Sequence, residues 1–378
     1  MKSGVSFSNE KDSFRSGRNA AAEAAALSGE PVLTIVFTTD DYDPSEVLSG
    51  VQSVVKSSRI AGFCCGGVIT CEGVHEQGVG VITISGDFKA VTTLEKGLGE
   101  DPLGVGEKAG RELLKGTNGN GTAVVMPDGF QADISEMLRG LYNQMGPDVQ
   151  YTGGGTGDNL KFFKTYQFTE NGVAENALAA AYLEGPRIGI GIGHGWNPIG
   201  SPLVITSVEG KRVYEIDGMP AFEAYSSRLG GVDRDRFSHQ AMRHPLGFPD
   251  ISGQYIIRDP LIVNSDDSID FVTEIPFQAV GSIMDCRIDG LIQTAVNAAG
   301  RALDAAGDPE FVLLFDCISR TLLMGSRFQD EIFSLRRTVG EDVPLLGALT
   351  FGEVGSYQDV PLFHNKTTAV VVGSKKEE

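Results

Sequence analysis

Three stretches of this sequence follow the same order of an apolar strand, a helical segment, a glycine-rich turn and a closing strand. They span residues 33–86, 122–184 and 311–373. The turns are "IAGFCCGGVI", "YTGGGTGDNL" and "LLGALTFGEV", and the closing strands are "VGVITIS", "ALAAAYLEG" and "TTAVVVGS". Self-similarity of this kind is the sequence signature of repeated structural units. The sequence therefore predicts an internal repeat.

Superposing the three turns brings glycines and polar side chains to shared positions. The first shared positions are Gly62, Gly153 and Gly347, followed by Cys65, Thr156 and Thr350. With a one-residue gap in the second copy, the next are Gly67, Gly157 and Gly352, followed by Val68, Asp158 and Glu353. Glycine permits a positive φ or a close approach of the backbone to a neighbour. The hydroxyls and carboxylates beside it either face a ligand or bond the backbone of their own turn.

Length and element order indicate the fold class. A chain of 378 residues exceeds one ordinary core, so two packed domains of about 150 residues each are expected. Buried strands are predicted at 31–39 and 121–127, each followed by a helical pattern. Further helices are predicted at 19–29 and 287–307, each closed by a glycine. The prediction is a mixed α/β fold with two related domains, in which sheets are flanked by helices.

Charge and cysteine usage exclude several classes of protein. The 31 basic and 50 acidic residues give a net charge of −19, which repels phosphate backbones and anionic membrane surfaces. The start of the chain has no apolar signal region, and no run of about 18 apolar residues occurs. Five cysteines without a secretory segment favour reduced thiols. We therefore expect a cytoplasmic protein that binds neither nucleic acid nor membrane.

The stretch "GGGTGDN" (153–159) does not match a phosphate-binding loop. Such a loop requires a lysine after its last glycine, and Asp158 would repel phosphate. The stretch is interpreted as a tight turn that also forms a pocket wall. The sequence contains no GxSxG elbow, HExxH helix or EF-hand loop, and no His and carboxylate cluster at metal spacing. No catalytic residue and no metal site is predicted.

The segment "IGIGIGHGW" (188–196) alternates glycine with isoleucine. One face of such a strand has no side chains, so another backbone or a ligand can come close to it. The favoured interpretation is a packing strand in the core. His194, near the end of this segment, is either a hydrogen-bonded structural residue or a ligand to a bound group.

The segment "LLFDCISRT" (313–321) ends a strand at a place where loops gather and pockets form. Arg320 either clamps a ligand carboxylate with two parallel hydrogen bonds or pairs with Glu353 or Asp158. Cys317 is either a thiol sensor or a small buried residue.

Six short motifs occur in an order that resembles the FIST family, whose name refers to F-box and intracellular signal transduction proteins. They are "GWNPIG" (195–200), "EIDGMPAFEAY" (215–225), "HPLGF" (244–248), "FDCISR" (315–320), "LTFGEVGS" (349–356) and "FHNKTTAVV" (363–371). In the first half, "FTTDDYDPSEVLSGV" (37–51) precedes "GGGTGDN" in the expected order. The resemblance covers about 33 to 373. It departs from the family in the first turn, where "CCGGVI" replaces a threonine or serine followed by glycine and glutamate.

The resemblance implies a domain organisation and a general role. It implies a FIST N domain over 31–200 and a FIST C domain over 201–373, after an N-terminal helix and extension at 1–30 and before a polar tail at 374–378. These domains are sensory modules proposed to bind small ligands such as amino acids, and they are fused or coupled to signalling outputs. Because only a few polar residues follow the FIST C domain, the signal is expected to pass to a separate protein.

The leading hypothesis is a sensor of a small ligand, such as an amino acid or small acid. In this hypothesis Arg320 holds an acidic group of the ligand, and hydroxyls from the repeated turns complete the pocket. The candidate ligand-binding residues are Thr156, Asp158, Arg320, Thr350, Gly352 and Glu353.

Two alternatives remain open. Some members with an architecture like this one bind haem and sense nitric oxide beside a histidine kinase, which implies haem as a cofactor and His244 or His194 as its axial ligand. The other alternative is an enzyme that uses the Cys317 thiol.

Overall fold

The computed structural model describes residues 1–130, 133–250, 253–357 and 360–375. A first unit occupies residues 2–85. Its elements are β1 (Lys2–Ser8), α1 (Ser13–Ser28), β2 (Leu33–Thr38), α2 (Pro44–Gln52), β3 (Arg59–Cys64), β4 (Val68–Thr70), β5 (Gly73–His75) and β6 (Val79–Ser85). Strands β2 and β3 are parallel, whereas β6 is antiparallel to both β2 and β1.

A second unit, residues 89–184, has the same order of elements. They are β7 (Lys89–Lys96), α3 (Pro102–Leu113), β8 (Thr122–Pro127), α4 (Ile134–Met145), β9 (Gln150–Gly154), β10 (Gln167–Thr169), β11 (Gly172–Ala174) and β12 (Ala177–Glu184). Strands β8 and β9 are parallel, and β12 is antiparallel to β8 and β7.

Aspartates fix the starts of the helices in these two units. Asp12, Asp43, Asp101 and Asp133 each accept a hydrogen bond from a backbone amide in the first turn of the helix that follows. This contact satisfies an amide that has no partner within the helix. At the other end, α1 stops at Gly29, whose φ of 85° is costly for other residues.

The third unit begins with β13 (Arg187–Gly193) and is interrupted by an inserted sheet. The elements of the insertion are β14 (Asn197–Glu209), β15 (Arg212–Ile216), β16 (Met219–Pro220), α5 (Ala221–Arg228), α6 (Phe237–Arg243), β17 (Leu246–Pro249), β18 (Tyr255–Arg258), β19 (Pro260–Val263), β20 (Ile269–Phe271) and β21 (Val280–Asp285). The predicted domain boundary at residue 200 falls within β14. The domain limits stay a prediction.

The third unit then resumes the order of the other two. Its elements are α7 (Ile288–Ala306), β22 (Pro309–Cys317), α8 (Ile318–Met324), α9 (Phe328–Val339), β23 (Leu345–Thr350), β24 (Glu353–Tyr357), β25 (Val360–His364) and β26 (Thr368–Ser374). Short 3₁₀ helices lie at Arg234–Arg236 and Gly325–Arg327.

The units exchange hairpins in a closed cycle. Their own strands are ordered β1-β6-β2-β3, β7-β12-β8-β9 and β13-β26-β22-β23. Each sheet is then extended by a hairpin from another unit: β10–β11 adds to the first sheet, β24–β25 to the second and β4–β5 to the third. The mixed α/β class with related sheet-and-helix domains is confirmed. The exchange makes each sheet depend on a neighbouring unit.

One apolar core is shared by the three sheets. Phe37 and Phe63 of the first unit lie 4.8 Å apart between ring centroids, and Phe315 of the third unit lies 5.8 Å from Phe37. Residues of the second unit, such as Val124 and Met126, belong to the same core. The opposite face of each sheet packs on helices of its own unit. Strands buried on both faces need near-continuous apolar runs, as "LTIVFT" and "TAVVMP" supply.

The glycines of β13 let a helix approach the strand. A Cβ on Gly189 or Gly191 would lie 1.9 Å from the carbonyl oxygen of Ala302 or Ala298 in α7. The interpretation of "IGIGIG" as a packing strand is confirmed. The face without side chains is covered by the backbone of α7.

None of the helices in the described part of the chain combines the length and the apolar character that a bilayer-crossing helix needs.

Candidate functional site

The glycine-rich turns of the three units meet at one junction. Gly155 donates its amide to the carbonyl of Gly352 at 2.7 Å and accepts from the amide of Phe351 at 2.9 Å. Gly157 donates to the carbonyl of Cys64 in the first turn at 3.1 Å. A Cβ on Gly155 would lie only 2.7 Å from the carbonyl oxygen of Phe351. Glycine is required here because backbones of different units touch.

A cavity of about 450 Å³ opens beside this junction. Its wall is built from loops of the second unit, from the inserted sheet and from the ends of β22 and β23 in the third unit. Loops at the carboxyl ends of strands commonly carry binding sites in α/β proteins, because the scaffold beneath them is rigid.

Most of the cavity wall is apolar. The ring centroids of Phe130, Phe162 and Phe351 lie 5.2 to 5.6 Å from one another, within the range of favourable aromatic pairs. The other apolar lining residues are Leu160, Met242, Leu261, Phe271, Val272, Ile318 and Leu322. The wall is suited to an apolar or aromatic body.

The polar lining includes one member of an ion pair, the Asp259 carboxylate. The Lys366 ammonium is completely buried and lies 2.8 Å from Oδ2 of Asp259, which lines the cavity. The same ammonium lies 5.5 Å from the ring centroid of Trp196. Burial raises the pKa of the Asp259 carboxyl, and Lys366 offsets part of that rise. Lys366 therefore compensates the charge of Asp259 at the wall. The other polar lining side chains are Lys211, Cys317, Ser319 and Asn365.

Cys317 lines the cavity at the end of β22. Its thiol lies 3.2 Å from the hydroxyl of Ser319, and the residue is 6% exposed. Burial raises the pKa of the Cys317 thiol to about 12. The sulfur is therefore protonated near neutral pH and is a weak nucleophile.

Arg320 lies behind the wall and does not line the cavity. Its guanidinium is completely buried, with Nε 3.0 Å from Asp316 and Nη2 2.6 Å from Glu331. Nη1 also donates to the carbonyl of His194 at 2.8 Å. The carboxylates that it contacts are thus neither Glu353 nor Asp158. This network ties the start of α8 to α9 and to the end of β13.

Glu353 is buried next to that network. Its Oε2 accepts from the amide and hydroxyl of Thr367, at 3.1 and 2.6 Å. The Thr350 hydroxyl lies 2.7 Å from Oε1 and 3.2 Å from the carbonyl of Asp316. Since Thr350 has one hydroxyl hydrogen, both contacts are hydrogen bonds only if Glu353 supplies a proton. Burial raises the pKa of Glu353 to about 8, although Thr367 and Thr350 offset part of the rise.

The variant Glu353→Gln is expected to remove a pH dependence of stability. The native pKa of Glu353, about 8, exceeds the ordinary value of 4.5, so wild-type stability is lost as pH rises from about 4.5 to about 8. Glutamine can donate to Thr350 and accept from Thr367, so the variant keeps the contacts without titrating. Urea unfolding would measure the free energy of unfolding of the variant minus that of wild type. This difference should rise by a few kcal/mol between about pH 4.5 and about pH 8.

Glu76→Gln is the matched control, because it makes the same substitution at an exposed position. It should follow the wild-type pH profile. A constant difference between Glu353→Gln and wild type at every pH would contradict the protonated state.

The two polar residues of the second turn bond within the protein. The Thr156 hydroxyl accepts from Nε2 of Gln167 at 2.7 Å. The Asp158 carboxylate accepts from the backbone amides of four consecutive residues, 161 to 164, at 2.9 to 3.4 Å. Both side chains are buried. Of the sequence-predicted residues, Gly352 and Cys317 line the cavity, whereas these two hold the loop beside it.

The two candidate axial histidines lie outside the cavity lining. Nδ1 of His194 accepts from the amide of Trp196 at 2.9 Å, and burial lowers the pKa of His194 to about 4. Nδ1 of His244 lies 3.2 Å from the carbonyl of Met284 and 3.7 Å from Oδ1 of Asp285. Among the described residues, no group of three or more His, Cys, Asp or Glu side chains is placed to hold a metal ion.

Much of the cavity lining was not predicted from the sequence. Phe351 and Phe130 each adjoin a glycine at the end of a strand, and this pairing of an aromatic residue with a turn glycine could have pointed to them. Lys211, Asp259 and Phe271 come from the inserted sheet, and no local motif marks them.

The elements and the cavity are those of a mixed α/β protein of hairpin-exchanged units with a ligand-sized cavity beside their junction. Matches to known families give a more particular assignment. The FIST N domain matches residues 32–219, and the FIST C domain matches residues 221–356. The chain belongs to the FIST family, whose domains are associated with sensory modules of signal transduction.

Relatives of this chain are distant in sequence. An uncharacterized protein of Mycobacterium tuberculosis is 22% identical over 396 residues, covering 98% of this chain and 99% of that protein. An uncharacterized protein of Methanocaldococcus jannaschii is 22% identical over 371 residues, covering 88% of this chain and 71% of that protein. A solved chorismatase structure is 11% identical, with a TM-score of 0.36 and coverage of 98% of both chains.

Proposed function

We propose that this protein is a sensory module that binds a small molecule in the cavity and signals to a separate protein, such as a histidine kinase. The observation that carries the proposal is the 450 Å³ cavity, whose apolar wall is interrupted by a few polar groups. Small-molecule sites commonly combine these properties. The family association supports the signalling part of the proposal.

The lining favours an amphipathic ligand of the amino-acid or small-acid type. Its apolar part would pack against the rings of Phe130, Phe162 and Phe351. The Lys211 ammonium would attract a carboxylate, and the Asp259 carboxylate would accept a hydrogen bond from an amino or hydroxyl group.

The sequence-predicted residues would take different roles. Cys317 and Gly352 would contact the ligand because they line the cavity. Arg320 and Glu353 would support the wall, since their bonds fix the ends of β22 and β23. A bound ligand would touch the second unit, the third unit and the inserted sheet together, so its binding energy could bias their relative positions.

The alternatives have less support from the site. A haem sensor would need an axial ligand, and neither His194 nor His244 lines the cavity. A thiol-dependent enzyme would need a thiolate, and burial keeps the pKa of Cys317 high.

A cavity-filling substitution tests the proposed site. Leu322 lines the cavity from α8 and is 46% exposed, so Leu322→Trp should fold and occupy ligand volume. Amino acids and short carboxylic acids would first be screened with wild-type protein by thermal shift, and calorimetry would give the Kd of each hit. We expect Leu322→Trp to weaken binding at least tenfold.

Leu27→Trp is the matched control, because Leu27 is 65% exposed on α1 and does not line the cavity. It should bind with the wild-type Kd. Equal binding by both variants would place the ligand elsewhere, and no hit among these compounds would count against the proposed ligand type.

A further inference from the structure

The segment of residues 158–164 forms part of the rim of the cavity. Leu160 and Phe162 both line the cavity, yet they remain 39% and 61% exposed. The next residue, Phe163, is 86% exposed and is not among the lining residues. Leu160 and Phe162 thus contact both the cavity and solvent.

The backbone of this segment is bent into an unfavourable conformation. Leu160 has a φ of 58° and Phe162 a φ of 51°, which bulky residues rarely adopt. The four amide hydrogen bonds to the buried Asp158 carboxylate compensate this strain. Lys161 adds an ion pair with Asp40 of the first unit. The segment is held at defined points, and only Phe163 projects fully into solvent.

The Phe162 ring is held by other rings. Its centroid lies 5.4 Å from that of Phe130 and 5.6 Å from that of Phe351. Phe130 follows β8, and Phe351 follows β23, so Phe162 bridges loops from two units. Side-chain rotation can break such contacts without breaking a backbone hydrogen bond.

We propose that Phe162 is the gate of the cavity, and that rotation of its ring admits molecules to the space in front of Cys317. The gate deepens the proposed function, because it controls access to the proposed ligand site. The segment anchored by Asp158 stays in place, and the ring moves. Bulky molecules depend on this movement more than small ones.

Labelling of Cys317 measures access without any ligand. Cys71 is exposed and would react with the reagents, so it would be replaced by serine. Cys64, Cys65 and Cys286 are at most 4% exposed and can remain. Alkylation would be followed by mass spectrometry with iodoacetamide and with a bulky aryl maleimide. We expect Phe162→Ala to raise the maleimide rate at Cys317 at least tenfold and the iodoacetamide rate by less than threefold.

The dependence of the alkylation rate on reagent size distinguishes a gate from a change in the reactivity of the Cys317 thiol. An altered thiol pKa would accelerate both reagents by similar factors, and that result would overturn the proposal. Phe163→Ala is the matched control and should leave both rates unchanged. Phe162→Leu should give an intermediate maleimide rate.

Unchanged rates in Phe162→Ala, or the same acceleration in Phe163→Ala, would also overturn the gate. Failure of every ligand to bind would count against the proposed function and would not alter these rates. The two proposals therefore fail separately.

Discussion

Replacing Gly191 with alanine is expected to lower the free energy of unfolding by about 3 kcal/mol or more, at the upper end of the cost of overpacking. The new Cβ would lie 1.9 Å from the Ala298 carbonyl oxygen and 2.6 Å from its carbonyl carbon. Neither backbone can yield easily, because Gly191 is paired with Val370 in β26 and Ala298 lies inside α7. Urea unfolding followed by fluorescence of Trp196, which is 3% exposed, measures the loss.

Gly300→Ala is the matched control in the same helix. A Cβ at position 300 meets no atom within 4 Å, so the substitution adds helix propensity without a clash. It should stabilise the protein by about 0.5 to 1 kcal/mol. Equal stability of the two variants would contradict the close packing of β13 on α7.

Replacing Arg320 with methionine is expected to cost about 3 to 5 kcal/mol, because it leaves buried carboxylates without their counter-charge. Asp316 and Glu331 are both completely buried, and burial raises the pKa of each carboxyl above its ordinary value. Arg320 lowers both pKa values, so its loss raises them further. Groups with raised pKa values lose stabilisation as pH rises. The deficit should therefore be larger at pH 8 than at pH 5, as equilibrium unfolding would measure.

Arg327→Met is the control for the removal of an arginine. Arg327 pairs with Asp289 and Asp330, but its side chain is 48% exposed and its partners are also exposed. Its loss should change stability much less than the loss of Arg320, because exposed ion pairs contribute little. If Arg320→Met behaved like Arg327→Met, the buried network would not hold β22, α8 and α9 together as described.

Local patterns predicted elements of the fold well. The end of α1 at Gly29 and of α7 at Gly307, and the strand at 188–193, follow from capping and from glycine alternation. The sequence did not predict that α7 packs against the glycine face of β13, because the inserted sheet separates the two elements in the chain. The same limit applied to Arg320. Its charge predicted a carboxylate partner, but Asp316 and Glu331 come beside it only when α8 and α9 pack.

The candidate site was predicted in part. Cys317 and Gly352 were named as candidates and line the cavity. The turn at 153–159 was expected to form a pocket wall; Gly155 and Gly157 lie at the junction, but no residue of the turn is among the cavity lining. Asp259 and its partner Lys366 were not predicted. Asp259 lies in the inserted sheet and Lys366 just before β26, and no periodicity relates them.

Local side-chain order specifies the buried strands, the capped helices and the three glycine-rich turns with a shared order. These depend on side-chain periodicity and backbone freedom, which neighbouring residues define. The packing of the folded chain establishes which turns touch, which carboxylates Arg320 neutralises and where the cavity opens. Those outcomes follow from the exchange of hairpins between units and from the docking of the inserted sheet. Both bring together residues that are far apart in the chain. Contacts of this kind are not visible in any short stretch of the sequence.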